Sequence, residues 1–346
     1  MTVTAQEFSG SDEFARRTDP FRRELLAHCY RMLGSIHDAE DLLQDTYLRA
    51  WRAHGEFDAS RASLRTWLYR IATNACLNAL ERRSRRPLPS GLGGPSHDPE
   101  VALDRRSEVA WLQPVPDALV GDGDGVVAGA ARPGDPAAIV AARDSIRLAF
   151  IAALQYLPAR QRAVLILRDV LAWRAAEVAE LLGTSAAAVN SLLQRARAQL
   201  DRVAPAENEI TEPGDASQRA LLDQYVAAFS GADVPALMRL LRADAELEMP
   251  PYLTWFSGRE AIARFLAART GGVGGIWRTA RTRANGQPAI AVYLPGSDGV
   301  PRAHAIQVVT VTGTGIARIV AFMDARLFVT FGLPQELPAA ATTRPS

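Results

Sequence analysis

The sequence predicts a multidomain protein: two all-α helical domains, the second a helix-turn-helix, followed by an α+β domain. Three observations carry that prediction. Leu157 to Leu200 contains three apolar runs at helical spacing, and Gly183-Thr184-Ser185 separates the last two. Seven Arg and one Glu between Arg61 and Arg86 follow a block of two Arg and six acids between Gly34 and Ser60. Beyond Asp215 the helical period gives way to alternating apolar runs separated by Asn285-Gly286, Gly296 to Gly299 and Gly313-Thr314-Gly315, all good hairpin formers.

A chain of 346 residues has room for two or three domains. Its net charge of +1 hides strong segregation. Arg61–Arg86 carries +6 and Arg143–Arg202 +4, whereas 34–60 carries −4 and 87–137 carries −5. Local charge therefore decides partners, and two separate basic segments point to nucleic acid. Every basic residue is Arg, so the choice of Arg over Lys at one site carries little information. Cys29 and Cys76 lie in apolar helical contexts and read as core thiols; two cysteines make neither a disulfide framework nor a zinc site. No metal or cofactor is expected. There is no signal-peptide pattern and no apolar run of spanning length, so a cytoplasmic protein without membrane contact is expected.

Met1 to Asp19 is polar and reads as a frayed lead-in. Phe21, Leu25, Leu26, Cys29, Met32 and Leu33 then make one amphipathic helix ending at Gly34. A second helix runs to Ala53 on Ile36, Ala39, Leu42, Leu43, Thr46 and Ala50, with an acidic outer face of Asp38, Glu40, Asp41 and Asp45. Ser60 or Ser63 opens a third, whose core side is Leu64, Leu68, Ile71, Ala72, Ala75 and Cys76. Its polar side carries Arg65, Arg70, Asn74 and Asn78 and continues into Arg82, Arg83, Arg85 and Arg86. These elements define a domain over 15–86.

Residues 87–135 are rich in Pro and Gly and read as a loose connector. One island, Trp111-Leu112-Gln113-Pro114-Val115-Pro116-Asp117, is too apolar to remain in water and should dock. A helix from Asp135 to Tyr156 leads into the helix-turn-helix, giving a second domain over 136–202. Ser185 can cap its last helix, which presents Ala187, Asn190, Ser191, Gln194, Arg195 and Arg197, while Arg174 begins the preceding one. After a linker at 203–216, two helices, a strand at Ala245–Met249, a helix at 258–268 and three or four further strands make a curved sheet around a helix over 217–334. Residues 335–346 read as a tail.

These motifs resemble the extracytoplasmic-function sigma factors of bacterial RNA polymerase, in the subgroup with a fused C-terminal SnoaL-like domain of the NTF2-like cone fold. DAEDLLQDTYLRAWRAHGEFD (38–58) is similar to the family's core-polymerase-binding helix, and LRTWLYRIATNACLNALERRSRR (64–86) to the helix that melts and reads the −10 element. The 157–200 stretch is similar to region four, which reads the −35 element, and WLQPVPD to the subgroup's linker motif. PPYLTWFSGREAIARFL (250–266) carries the SnoaL-like resemblance. The loop before Leu64 is short, and the third region of housekeeping factors is absent.

The resemblance implies roles. Asp38, Glu40, Asp41 and Asp45 would meet the β′ subunit of core RNA polymerase, whose β subunit is a further expected partner. Arg65, Arg70, Asn74 and Asn78 would contact the melted strand, with Trp67 stacking on a base or serving the core, and Arg82, Arg83, Arg85 and Arg86 phosphates. Ala187, Asn190, Ser191 and Gln194 would lie nearest the −35 bases, with Arg195 and Arg197 nearer the promoter backbone, Arg174 a further phosphate contact and Ser185 part of the same −35-binding set. Trp111, Leu112, Pro114, Pro116 and Asp117 would form a regulatory contact within the chain. Tyr252, Trp255, Trp277, His304 and Asp324, with Glu248 and Gln307, are candidates for a C-terminal pocket open to a small-molecule ligand. No catalytic residue is assigned. Two readings remain beside this one: a stand-alone helix-turn-helix regulator, which leaves the acidic helix unexplained, and a ketosteroid-isomerase-like enzyme with accessory helices, which requires a perturbed carboxylate in the pocket.

Overall fold

The computed structural model describes residues 5–81, 85–121, 145–203, 216–270 and 277–338. The chain divides into two compact units, 1–86 with 117–204 and 87–116 with 205–346. Each is built from chain segments distant in sequence.

The first unit is all-helical. It opens with α1 (Ala5–Thr18), where a frayed lead-in is expected. Phe14 supplies the reason, packing edge-on against Trp51 with ring centroids 5.3 Å apart. α2 (Arg22–Leu33) buries Leu25, Leu26, Cys29 and Met32 and ends at Gly34 with φ 67°. Ser35 then caps α3 (Ile36–Ala53) by accepting from the Asp38 amide at 3.2 Å. Ser63 caps α4 (Leu64–Leu80) in the same way, accepting from Thr66 at 3.1 Å. A short α5 (Asp117–Val120) packs on α2.

The chain re-enters the described region with α6 (Leu148–Leu154) and α7 (Ala159–Leu165), the latter extended by a π turn over Ile166–Val170. Of the expected helix from Asp135 to Tyr156, the described part holds α6, and 122–144 lie outside the described residues. α8 (Ala175–Leu182) and α9 (Ala186–Val203) form the helix-turn-helix. Two buried arginines join the early helices to the late ones. Arg31 donates from Nη2 to Ser145 Oγ (2.9 Å), and Arg162 reaches Met32 O, Gln155 Oε1 (2.9 Å) and Leu157 O (3.1 Å). Neither has a carboxylate partner among the described residues, and burial lowers both guanidinium pKa values to about 10.

The second unit is α+β. α10 (Ala216–Ser230) and α11 (Val234–Leu240) precede β1 (Leu241–Glu248) and β2 (Trp255–Ser257). α12 (Arg259–Thr270) follows, then β3 (Arg278–Ala284), β4 (Gln287–Pro295), β5 (Pro301–Thr312), β6 (Gly315–Phe322) and α13 (Arg326–Thr330). The sheet order is β2-β1-β6-β5-β4-β3, antiparallel except for β1 beside β6. β2 is too short to show a period in sequence. The sheet curls around α12, and Tyr225, Phe256, Phe265, Ile290, Val309 and Ile319 fill the core, the NTF2-like arrangement.

Residues 87–116 are not a loose connector: they pack on this second unit. Ser90 N donates to Glu248 Oε2 (2.8 Å), Trp255 Nε1 to Gly93 O (2.8 Å) and Leu253 N to Asp104 O (2.7 Å). Leu112 is fully buried and Trp111 nearly so, its indole donating to Arg106 O at 2.8 Å. Proline and glycine here favour an extended strap whose backbone groups find partners on the sheet domain. No helix among the described residues is long and apolar enough to cross a membrane.

Candidate nucleic-acid interface and C-terminal cavity

α3 exposes the acidic face unevenly. Asp41 is exposed and Glu40 half-buried, whereas Asp45 pairs with Arg49 (2.8 Å) and Asp38 with Arg86. α4 buries Leu68, Tyr69, Ala72 and Cys76 and turns Arg70, Asn74 and Asn78 to solvent. Arg65 does not point freely outward: its guanidinium forks onto the Glu24 carboxylate at 2.8–3.0 Å. Trp67 is half-buried against Phe57, ring centroids 5.1 Å apart, so it is neither a core residue nor a free platform. Arg85 is exposed and lies over the Tyr156 ring at 4.4 Å; Arg82 and Arg83 lie outside the described residues.

Behind α4, His28 Nε2 and Thr73 Oγ1 are 2.9 Å apart. Burial, with Arg31 and Arg65 nearby, lowers the His28 pKa to about 3, so the ring is neutral. Sequence periodicity gave no role to His28, Arg31 or Arg162. The available signal was a polar side chain inside an otherwise apolar stripe.

In the helix-turn-helix, Val178, Leu181, Val189, Leu193 and Ala196 are buried between the helices. Gly183, at φ 61°, ends α8, and Ser185 Oγ accepts from Ala188 N at 3.2 Å to start α9. The buried stripe leaves Ala187, Asn190, Ser191, Gln194 and Arg195 together on one exposed face. Arg197 is exposed but forks onto Asp169 at 2.7 and 2.9 Å. Arg174, 85% exposed, contacts Glu177 at 3.4 Å. Within the same unit Tyr69 of α4 and Trp173 meet at 5.4 Å between centroids. A groove there is bordered by Asp58, Trp67 and Arg70 on one side and Glu177 and Glu180 on the other.

The second unit contains a cavity of about 340 Å³. Tyr252, Trp277, His304 and Gln307 line it. Trp255 and Asp324, expected there, do not: the Trp255 indole is turned to Gly93 O and Asp324 binds Arg326 at 2.8 Å. Glu248 is also elsewhere, fully buried under Arg318 and Ser90. None of the three lies on a long alternating strand interior: Glu248 ends β1, Trp255 opens the three-residue β2 and Asp324 follows β6, and each is held by its own partner instead, whereas the bulge between Ala303 and Ala305 on β5 sets the placement of His304. Pro114 and Pro116 are buried in the second unit with Trp111 and Leu112, while Asp117 begins α5 of the first.

Family models for sigma-70 region 2 and sigma-70 region 4 match residues 19–86 and 147–200. The ECF RNA polymerase sigma factor SigG of Mycobacterium tuberculosis (strain ATCC 25618 / H37Rv) is 51% identical over 327 residues, 94% of this chain and 85% of that protein. SigJ of the same strain is 29% identical over 304 residues, 85% of this chain and 86% of SigJ. The crystal structure of the M. tuberculosis extracytoplasmic function sigma factor SigJ shares the fold, with a TM-score of 0.59 and 23% identity over 92% of this chain and 100% of that one.

Proposed function

The chain belongs to the extracytoplasmic-function (ECF) sigma factors of RNA polymerase, and on that premise we propose how its parts divide the work. As a sigma factor it binds core RNA polymerase, directs it to promoters and supports initiation, without catalytic chemistry of its own. The α3 face at Glu40 and Asp41, with Asp38 and Asp45, docks on a basic surface of the core enzyme, where complementary charge sets register and on-rate. Arg70, Asn74 and Asn78 of α4 meet the −10 strand, with Trp67 at the edge of the opened duplex. Asn190, Ser191 and Gln194 read the −35 major groove, while Arg195 and Arg174 neutralise phosphates. The observation that carries this division is the continuous exposed polar face of α9, ordered by a capped and buried helix-turn-helix.

The C-terminal unit modulates this activity through residues 87–116. That segment joins the −10-reading part to the −35-reading part in sequence, and the sheet domain binds it along its length. The testing experiment is run-off transcription with purified core polymerase, comparing the full chain with one truncated after Leu200. Promoter-dependent transcript is expected from the full chain, and a changed yield or promoter preference from the truncation. No transcript and no core binding from either would overturn the division of labour; equal activity from both would overturn only the modulation.

A further inference from the structure

We propose that the C-terminal cavity binds an uncharged, mostly apolar small molecule that presents one hydrogen-bond acceptor, such as a ketone or ester oxygen, to Gln307. The cavity, at about 340 Å³, falls in the range of small-molecule sites, roughly 300–1,000 Å³. Its walls are apolar, with Phe229, Leu247, Phe265, Val292 and Ile319. Gln307, only 6% exposed, is a buried polar exception, beside the Tyr225 hydroxyl and His304. Tyr225 donates its hydroxyl proton to Gln307 Oε1 at 2.8 Å, which fixes the amide and leaves Nε2 as a donor without a partner among the described residues. Gln307 lines the cavity, and this donor is open to an acceptor on a molecule held there.

The charge of the lining sets the ligand class. No Asp or Glu borders the cavity among the described residues. His304, presented by the β5 bulge, is held below its usual range by burial, which favours the uncharged ring. Arg269 stands at the exposed rim, where it donates to Val101 O (3.1 Å) and covers the Phe265 ring at 5.1 Å. An anionic ligand would meet no free cation inside and would lose its hydration against apolar walls.

Leu103 of the 87–116 segment forms part of the wall, next to the Leu253 N to Asp104 O bond (2.7 Å). A ligand in the cavity therefore packs under this segment and holds it in place. The inference concerns the second unit alone and stands or falls separately from the transcriptional reading.

The test titrates the full chain with 6-propionyl-2-(dimethylamino)naphthalene, a neutral fluorophore with one carbonyl acceptor. Saturable one-to-one binding with a blue-shifted emission is expected, weakened about tenfold by Gln307→Leu and abolished by Ala305→Phe, which fills the cavity. Ala321→Leu is the second filling variant should Ala305→Phe fail to fold. Tryptic cleavage after Arg105 should slow when the probe saturates. Non-saturable uptake, or unchanged binding by a folded filling variant, overturns the site. Undiminished affinity in Gln307→Leu, or tighter binding of the anionic 8-anilino-1-naphthalenesulfonate, overturns the ligand class.

Discussion

Asn285 and Val115 clasp each other by two hydrogen bonds: the Asn285 amide donates to Val115 O at 2.9 Å, and the Val115 amide donates to Asn285 Oδ1 at 3.0 Å. Asn285 has φ 57° and, with Gly286 at φ 67°, turns β3 into β4. Asn and Gly tolerate that left-handed backbone. One residue thus sets a hairpin and fastens a segment 170 residues away.

Asn285→Gly keeps the turn and the backbone half of the clasp and removes its side-chain half. A buried Val115 amide is left without its side-chain acceptor, a loss of about 1–3 kcal/mol. The urea midpoint of the full chain should fall accordingly, and trypsin should cut after Arg105 and Arg106 about tenfold faster. Unchanged midpoint and cleavage would mean that Asn285 does not hold the segment.

That clasp marks where sequence reading ends. The helices were legible because Leu25, Cys29 and Met32, or Val189, Leu193 and Ala196, repeat at the period of the helix they build. The two basic segments were legible as charge. The docking of 87–116 was not, since its own backbone groups make the bonds, to partners such as Glu248, Leu253, Trp255 and Asn285 that are far away in the chain, and backbone groups are silent in composition. Trp111 and Leu112 signalled that something must cover them, but not what. In the cavity, Tyr252, Trp277 and His304 were within reach of the sequence, whereas Trp255 and Asp324 went astray because each sits at a strand end and is taken by a partner the sequence does not reveal, Gly93 O and Arg326.

The contact of Tyr69 with Trp173 leads to a second expectation. Promoter elements near −10 and −35 are about 25 base pairs apart, roughly 80 Å at 3.4 Å per pair. A unit that holds α4 against the helix-turn-helix must open to reach both. Glu56 and Glu180 are exposed and border the groove between these parts. A Glu56→Cys/Glu180→Cys chain bridged by a bis-maleimide should lose promoter-dependent transcription at least tenfold, while the unbridged double variant keeps it. Full activity in the bridged form would show that the closed arrangement reads promoters as it stands.

His28 gives stability a pH dependence whose sign is fixed. Folded, its pKa is about 3; unfolded, it returns to the usual 6.5. The unfolded chain binds the extra proton between these values, so the contribution is complete above pH 6.5 and fades as pH falls toward 3. The slope below 6.5 approaches about 1.4 kcal/mol per pH unit for this one proton. Urea midpoints at pH 7, 6 and 5 should fall in the native chain and fall less in His28→Gln. Parallel curves would assign the acid sensitivity to other groups.

On α9, Gln194 and Arg195 are adjacent and exposed, yet the two should fail differently. An amide that reads a base edge contributes discrimination, so Gln194→Ala should cost about 1–3 kcal/mol at one base pair and relax the preference there. A guanidinium on phosphate contributes affinity to every sequence, so Arg195→Ala should weaken all duplexes alike and reduce the salt slope by about one. Arg197 must first leave Asp169, to which it is bound at 2.7 Å, and Arg197→Ala should change the slope less than Arg195→Ala. Fluorescence anisotropy of reconstituted holoenzyme on native and singly substituted −35 duplexes, at three salt concentrations, separates these outcomes. If Gln194→Ala weakened every duplex equally, α9 would be gripping the DNA backbone at that point, and the base contacts would have to come from Asn190 and Ser191.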